Sequence, residues 1–216
     1  MNKEEFIKEL EKNNIMLSSK QLDQLDKYYH LLIEWNEKIN LTRITEEKDV
    51  YLKHFYDSLT LSKVIDLNRN IKLCDIGTGA GFPGIVLKIV FPTLSITLVD
   101  ALLKRVNFLN IVIKELDLKE IEAIHSRAED YVKFHKGEYD IVTCRAVSKL
   151  CNLLDYSIPL LNKNGYFIPM KANCEDEIND CLPILKKKKL VIEQIEEFSL
   201  PIENSHRTII KIKGVK

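Results

Sequence analysis

Glycine and proline are scarce in this 216-residue chain, seven and six residues, and neither occurs before Gly77. These are the residues that punctuate turns and break helices, so the first third is free to run as helix. A charge excess is also missing: 32 basic residues balance 32 acidic ones. Domains that hold nucleic acid by bulk electrostatics carry a clear basic surplus. Any anionic partner of this chain must therefore be met by a local patch. The five cysteines, Cys74, Cys144, Cys151, Cys174 and Cys181, are scattered and form no Cys-x-x-Cys pair. Neither a disulfide framework nor a zinc site is expected, and a reducing compartment fits best. No run approaches the ~18 apolar residues that span a bilayer, and the charged segment Met1–Glu11 lacks the apolar core of a signal peptide. A soluble cytoplasmic protein with no membrane partner is expected. The histidines, His30, His54, His125, His135 and His206, are too dispersed for a metal site.

At roughly 150 residues per domain, the length implies one medium domain with an appendage. Residues 1–70 carry apolar side chains at helical spacing, among them Phe6, Ile7 and Leu10, then Leu25, Tyr28, Leu32 and Trp35, then Leu52, Phe55 and Leu59. Ser18 or Ser19 can cap the second of these helices. They form a predicted helical extension. Residues 71–216 alternate short β-rich runs with amphipathic ones: strands over 71–76, 94–99, 121–125, 140–144 and 166–170, with helices between them. That alternation builds a parallel sheet with helices on both faces. Two further β-type runs, 190–198 and 208–213, are joined by a segment too short for a crossover helix, so the last pair should be antiparallel.

The most informative stretch is Asp75-Ile76-Gly77-Thr78-Gly79-Ala80-Gly81-Phe82-Pro83-Gly84. A strand that runs into alternate glycines and then a helix leaves a turn without Cβ atoms where a ligand can approach the backbone. A Walker loop is excluded because no Gly-Lys-Ser/Thr follows. The dinucleotide fingerprint Gly-x-Gly-x-x-Gly fails because Phe82 stands at its sixth position. Asp75, two residues before the turn, suits a ligand with ammonium or sulfonium charge better than a pyrophosphate. S-adenosylmethionine carries both cations. Asp100, at the end of the second strand, can accept both ribose hydroxyls. After the third strand, Ser126 and Glu129 are spaced as a capping box, and Ala128 with Glu129 can flank an adenine ring. The fourth strand ends in Cys144-Arg145-Ala146-Val147-Ser148. Cys144 lacks the preceding proline of a cytosine-C5 nucleophile and reads as core. Arg145 can bind a phosphate or a guanine edge bidentately.

With these residues in place, the chain resembles the bacterial ribosomal RNA small-subunit methyltransferase G family, also called glucose-inhibited division protein B. The resemblance rests on Trp35-Asn36-x-x-x-Asn40-Leu41-Thr42, His54-x-x-Asp57-Ser58, the turn from Asp75 to Pro83, Lys104-Arg105-Val106-x-Phe108-Leu109, Ser126-Arg127-Ala128-Glu129, Cys144-Arg145-Ala146-Val147, Met170-Lys171 and His206-Arg207. The blocks upstream of the glycine turn make it specific. Ala172 and Asn173 depart from the small residue or Gly that many members place after Met-Lys. The resemblance implies an α/β, Rossmann-like class I methyltransferase fold with a seven-stranded, mostly parallel sheet and an antiparallel last strand. It implies transfer of a methyl group from S-adenosylmethionine to N7 of one guanosine in 16S rRNA, on naked RNA or the small ribosomal subunit, by a monomer that releases S-adenosylhomocysteine and uses no metal. Its cofactor contacts fall on Gly77, Phe82, Ala128, Glu129 and Arg145; Asp75, Gly79 and Asp100 join them from the turn and strand ends.

Guanine N7 carries a free lone pair, so its methylation needs no prior deprotonation. No side chain is expected to act as general base, and Arg145 and Lys171 should position the reactants. In A-form RNA the groove that holds N7 is deep and narrow, so the target should lie in a loop or a distorted helix. Asn40, Arg43, His54, Arg145, Ser148, Lys171 and Arg207 are the expected RNA-facing residues, with Lys104 and Arg105 at the rim. The run Lys186–Lys189 reads equally as a solvated helix end. A methyltransferase for another RNA site, a protein or a small molecule is the alternative; an NAD oxidoreductase and a non-enzymatic RNA binder fit the glycine turn less well.

Overall fold

Burial explains the centre of the molecule. In the strands β1 (Lys72–Ile76), β2 (Ser95–Asp100) and β4 (Tyr139–Arg145), nearly every residue is covered on both faces, the pattern of parallel strands sandwiched by helices. With β3 (Ile121–His125), β5 (Leu161–Lys171), β6 (Leu190–Ser199) and β7 (His206–Gly214) they form one seven-stranded sheet in the order β3-β2-β1-β4-β5-β7-β6. The pairs β2·β3, β1·β2, β1·β4 and β4·β5 are parallel, and β7 runs antiparallel to both β5 and β6. The expected mostly parallel sheet with an antiparallel last strand is what forms. The chain reverses its winding between β1 and β4, and in open α/β sheets the crevice for a ligand opens there, beyond the carboxyl ends of the strands. The structure is a computed structural model and describes residues 1–214.

The crossover helices are α5 (Gly84–Val90), α6 (Leu103–Glu115), α7 (Ala128–Tyr131), α8 (Leu150–Ser157) and α9 (Glu175–Lys187). Ahead of them stand α1 (Lys3–Lys12) and α2 (Ser19–Ile39), both opened by complete capping boxes, Asn2 with Glu5 and Ser18 with Gln21. A winding segment follows: α3 (Glu47–Val50), a π-helical turn (Tyr51–Tyr56), α4 (Asp57–Leu59) and a 3-10 turn (Thr60–Lys63). The helical spacing of Leu52, Phe55 and Leu59 predicts an α-helix here; the π turn rotates the side chains of His54 and Asp57 relative to that register.

Helix α2 caps the C-terminal ends of α5 and α6. Gln21 Nε2 donates to the carbonyls of Ile89 and Val90 at 2.9 and 3.0 Å, and Gln24 Nε2 to that of Leu116 at 2.7 Å. These are C-terminal carbonyls that a helix leaves without intrahelical partners. Phe6, Leu25, Tyr28 and Phe55 belong to the same buried cluster as Phe82, Ile85, Phe108 and Leu109. A second cluster on the other face joins Val142, Leu153, Cys181 and Ile210.

Two local expectations are corrected. Cys151 of α8 and Cys181 of α9 form a disulfide, Cα atoms 5.4 Å apart; the packing of two helices 30 residues apart in sequence creates a pairing that spacing cannot reveal. Ser126 and Glu129 make no capping box, because Arg127 occupies the cap position and the Ser126 hydroxyl donates to the Arg127 carbonyl at 2.9 Å. No helix among the described residues is long and apolar enough to cross a membrane.

Candidate active site

The glycine turn is held from below by Asp75. Its Oδ2 accepts from the Thr78 hydroxyl at 2.6 Å and the Gly84 amide at 2.9 Å, which ties the end of β1 to the start of α5. Gly84 has no room for a side chain, since a Cβ there would lie 2.2 Å from Leu98. Asp75 is fully buried, its Oδ1 has no partner among the described residues, and burial pushes its pKa up to about 6 against the pull of those two hydrogen bonds. Gly79 adopts φ +63° with open space where its Cβ would be, so the backbone is bare toward solvent. Asp100, at the end of β2, steadies the same turn from the side: its Oδ2 accepts from the Gly79 amide at 2.9 Å and from Arg105 Nη1 at 3.3 Å.

Two cavities open at this end of the sheet. The first, about 240 Å³, is lined by Gly77, Val99, Ser126, Ala128, Glu129 and Val147. The structure thus brings the ends of β1, β2 and β3 and the start of α7 around one hollow, beside Asp100. The second, about 470 Å³, is lined by Lys53, His54, Asp57, Arg145, Lys171 and Arg207 among others. The turn after β4 divides them. Ala146, with φ +55°, faces the second cavity and Val147 the first, where Val147 lies over Gly77.

Arg145 is placed in the second cavity, turned into the N-terminal helices. Its Nη1 donates to the Lys53 carbonyl at 2.9 Å and to Asp57 Oδ2 at 3.2 Å, and its Nη2 to His54 Nδ1 at 2.9 Å. The guanidinium lies over the Phe82 ring, 5.1 Å from its centre. Phe82 is therefore buried in the partition beneath Arg145 and His54, and lines neither cavity. Lys171 Nζ donates to the Ser148 carbonyl and to Glu177 Oε2, and Arg207 Nε donates to Asp57 Oδ1 at 3.1 Å.

The remaining sequence-predicted residues lie outside these cavities. Asn40 ends α2 in a left-handed conformation at the surface and Arg43 is exposed nearby, neither lining the second cavity. Ser148 reaches it only through the carbonyl that Lys171 holds. Lys104 donates to the Ile39 carbonyl at 3.0 Å, and Lys188 pairs with Asp155 at 2.8 Å. Cys144 is buried, and desolvation drives its thiol well above its ordinary pKa, which is the behaviour of a core residue. Sequence reasoning assigned no role to Asp57 or Glu177. Asp57 stood in a recognised block, yet its partners lie 88 and 150 residues away, and no local pattern encodes such pairings.

The strand order, the glycine turn and the hollow beside it define the fold of the S-adenosylmethionine-dependent methyltransferases. A solved structure of a SAM-dependent methyltransferase from Aquifex aeolicus superposes with a TM-score of 0.61 at 17% identity, covering 85% of this chain and 98% of that one. TYW2 from M. jannaschii, solved in complex with AdoMet, gives 0.59 at 17% identity over 74% of this chain and 77% of that one. A sequence profile for "rRNA small subunit methyltransferase G" matches residues 21–210. Curated proteins named Ribosomal RNA small subunit methyltransferase G are 48% identical in Bacillus licheniformis, over 99% of this chain and 90% of that protein, and 46% identical in Bacillus subtilis, over 100% and 92%. The chain belongs to the rRNA small subunit methyltransferase G family, and it is a methyltransferase.

Proposed function

We propose that the chain methylates N7 of one guanosine in 16S rRNA, with S-adenosylmethionine as donor, acting as a cytoplasmic monomer on RNA of the small ribosomal subunit. The observation that carries this reading is the pair of cavities that meet at the turn after β4, one lined by Gly77 of the glycine turn and the other lined by cations. The residues present fit the donor. Glu129 lines the first cavity with a carboxylate for hydroxyl or amine groups, Gly77 and Ala128 line it without bulk, and Asp100 and Asp75, the latter with Oδ1 unpartnered among the described residues, hold the turn from behind it. When bound, S-adenosylmethionine supplies an electrophilic methyl on a sulfonium.

The chain's own residues orient and desolvate. His54 has both ring nitrogens engaged, Nδ1 by Arg145 and Nε2 by Thr42, and burial beside a guanidinium pushes its pKa down to about 3. It stays neutral and has no lone pair to offer. Asp57 is neutralised by two arginines, and Lys171 by Glu177. Among the described residues the cationic cavity thus holds cations and spent acceptors and no free base, which suits a nucleophile that carries its own lone pair. Holding N7 in line with the methyl, away from water, can supply about 7–11 kcal/mol of barrier lowering. Residues 1–70 contribute one wall of the cationic cavity, through Ile44, Lys53, His54 and Asp57, and residues 71–214 the rest. The division into a helical extension and a catalytic domain is read in this functional sense.

The test is to map N7-methylguanosine in 16S rRNA from cells with and without the gene. The purified protein is then given labelled S-adenosylmethionine with small subunits and with naked RNA from the deficient cells. Label at one guanosine, restored by the gene, is expected. Label in a protein, in a small molecule or at another RNA position would overturn the assignment.

A further inference from the structure

Asp57 joins two arginines that arrive from distant parts of the chain. Its carboxylate is buried, with Oδ2 on Arg145 Nη1 at 3.2 Å and Oδ1 on Arg207 Nε at 3.1 Å. Without it, two guanidiniums would face each other in a poorly solvated wall. Burial and the charge of Arg207 both pull the pKa of Arg145 down, and Asp57 opposes them.

The donors of the two arginines are used very differently. Arg145 has Nη1 committed to the Lys53 carbonyl and Asp57, and Nη2 to His54. It is fixed in the wall on three sides. Arg207 spends Nε on Asp57 and Nη1 on the carbonyl of His206 at 2.8 Å, while its Nη2 has no protein partner among the described residues. Lys171, across the same cavity, spends two of its three N–H groups on Ser148 and Glu177. Lys53, which also lines the cavity, is paired with Asp49 and Glu203; Arg145, Lys171 and Arg207 against Asp57 and Glu177 then leave one positive charge here, which matches a single phosphate diester. A guanidinium edge beside an ammonium is also the donor set that suits phosphate oxygens.

We infer that Asp57 is a positioning residue: it ties Arg145 into the wall and takes the Nε edge of Arg207, so that the Nη2 edge of Arg207, with Lys171, receives a backbone phosphate next to the target guanosine. This rests on the RNA-methylation reading above. It predicts that the contribution of Arg207 exists only while Asp57 holds it.

The experiment is a double-mutant cycle with Asp57→Asn, Arg207→Gln and both together, assayed as full-length protein on small subunits from cells lacking the gene. Asp57→Asn is expected to raise the RNA KM roughly 10- to 100-fold, as loss of a buried charge partner does, with kcat and the calorimetric Kd for S-adenosylmethionine within about twofold. The salt slope of log KM should shrink by about 1, the loss of one phosphate contact. The double variant should be no worse than Arg207→Gln alone, because Arg145 keeps the Lys53 carbonyl and His54 as anchors when Asp57 is replaced. Additive effects, a fall in kcat at unchanged KM, or parallel loss of cofactor binding would overturn the assignment. Should Asp57→Asn fail to fold, Arg207→Lys decides. Lysine cannot grip the carboxylate with Nε while offering a second planar edge, so its KM should rise as in Arg207→Gln, and a wild-type KM overturns the proposal. Wild-type protein that leaves 16S rRNA unmethylated sinks the underlying reading instead; in that case binding of the same variants to the small subunit, measured by filter retention, still judges Asp57 by the same cycle.

Discussion

The His54 imidazole lies flat on the Phe82 ring, centroids 4.3 Å apart and planes within 13°. One residue comes from the N-terminal helices and the other from the glycine turn, so the stack joins the wall of the cationic cavity to the partition that separates the two cavities. Because Nδ1 accepts from Arg145, which has no acceptor, the ring proton must sit on Nε2 and point to the Thr42 hydroxyl at 2.9 Å. Its pKa is pushed down to about 3 by burial first and by the charge of Arg145 second. The unfolded chain binds a proton near pH 6.5 that the folded one refuses, so stability from this group is present above that pH and lost as pH falls toward 3. We expect the stability advantage of wild type over His54→Gln to narrow by up to about 1.4 kcal/mol per pH unit below pH 6. Urea denaturation at pH 7, 6 and 5 measures it; a constant gap contradicts a neutral His54.

Asp75 has the opposite sign. Its pKa is raised to about 6, chiefly by burial, so the folded protein holds a proton that the unfolded chain has released. Its contribution is full below about pH 4 and lost as pH rises through 6. Between pH 4 and 6 the two groups therefore offset each other, and wild type should show a flat stability profile there. Asp75→Asn should unmask the His54 slope, losing stability as pH falls through that interval. The same denaturation series checks this, and a flat Asp75→Asn profile would count against it.

Gly79 and Gly81 separate ligand room from folding room. A Cβ on Gly81, at φ +104°, would lie 2.5 Å from Ile85 and 2.8 Å from the Tyr28 hydroxyl that bonds the Ala80 carbonyl. Gly81→Ala should cost about 1–3 kcal/mol in overpacking and a further ~1–2 kcal/mol in the backbone. Gly79→Ala meets nothing within 4 Å and bears only the backbone penalty. If the open side of the turn is where S-adenosylmethionine sits, its calorimetric Kd should rise about tenfold in Gly79→Ala, near 1.4 kcal/mol, while melting falls by only about 3–6 °C, less than in Gly81→Ala. Equal affinity in Gly79→Ala and wild type would remove the ligand from that position.

These contrasts also show what a linear sequence can and cannot carry. Periodicity and the alternation of short strands with helices are local, and they delivered the parallel core and the reversed β7. The glycine turn was legible because its spacing is itself the structural requirement. The commitments of individual side chains were not. Arg145 points into the N-terminal helices because a carbonyl, an imidazole and a carboxylate from residues 53–57 converge on it. The π turn that assembles those three has no sequence signature, and neither does the α8–α9 contact that closes the disulfide.

That disulfide carries a prediction of its own. A bridge between Cys151 and Cys181 closes a loop of 30 residues, and chain entropy assigns about 3–4 kcal/mol to such a closure. Reductant should lower the melting temperature of wild type by roughly 10 °C and leave Cys151→Ser unchanged. Glu177 lies on the same helix, one turn before Cys181, and holds both the Lys171 ammonium and the Leu150 amide at the head of α8. Reduction should therefore be felt at the cationic cavity as well as in the melt. Coincident melts of oxidised and reduced protein would mean the bridge contributes nothing.

Methylation without a general base should leave a plain signature in pH. Every candidate proton acceptor around the cationic cavity is spent: His54 by two hydrogen bonds and a pKa near 3, Asp57 by two arginines, Glu177 by Lys171. Cys144 is buried with its thiol pushed up by desolvation, so no thiolate is available either. Between about pH 6.5 and 9 nothing required by a lone-pair nucleophile changes its charge, so kcat should be flat across that range, and Cys144→Ser should retain it. His54→Gln should lose activity only as far as Arg145 and Phe82 lose their packing, at every pH alike. A bell-shaped kcat profile that one substitution flattens, with cofactor and RNA affinities intact, would show instead that a side chain takes a proton in the rate-limiting step.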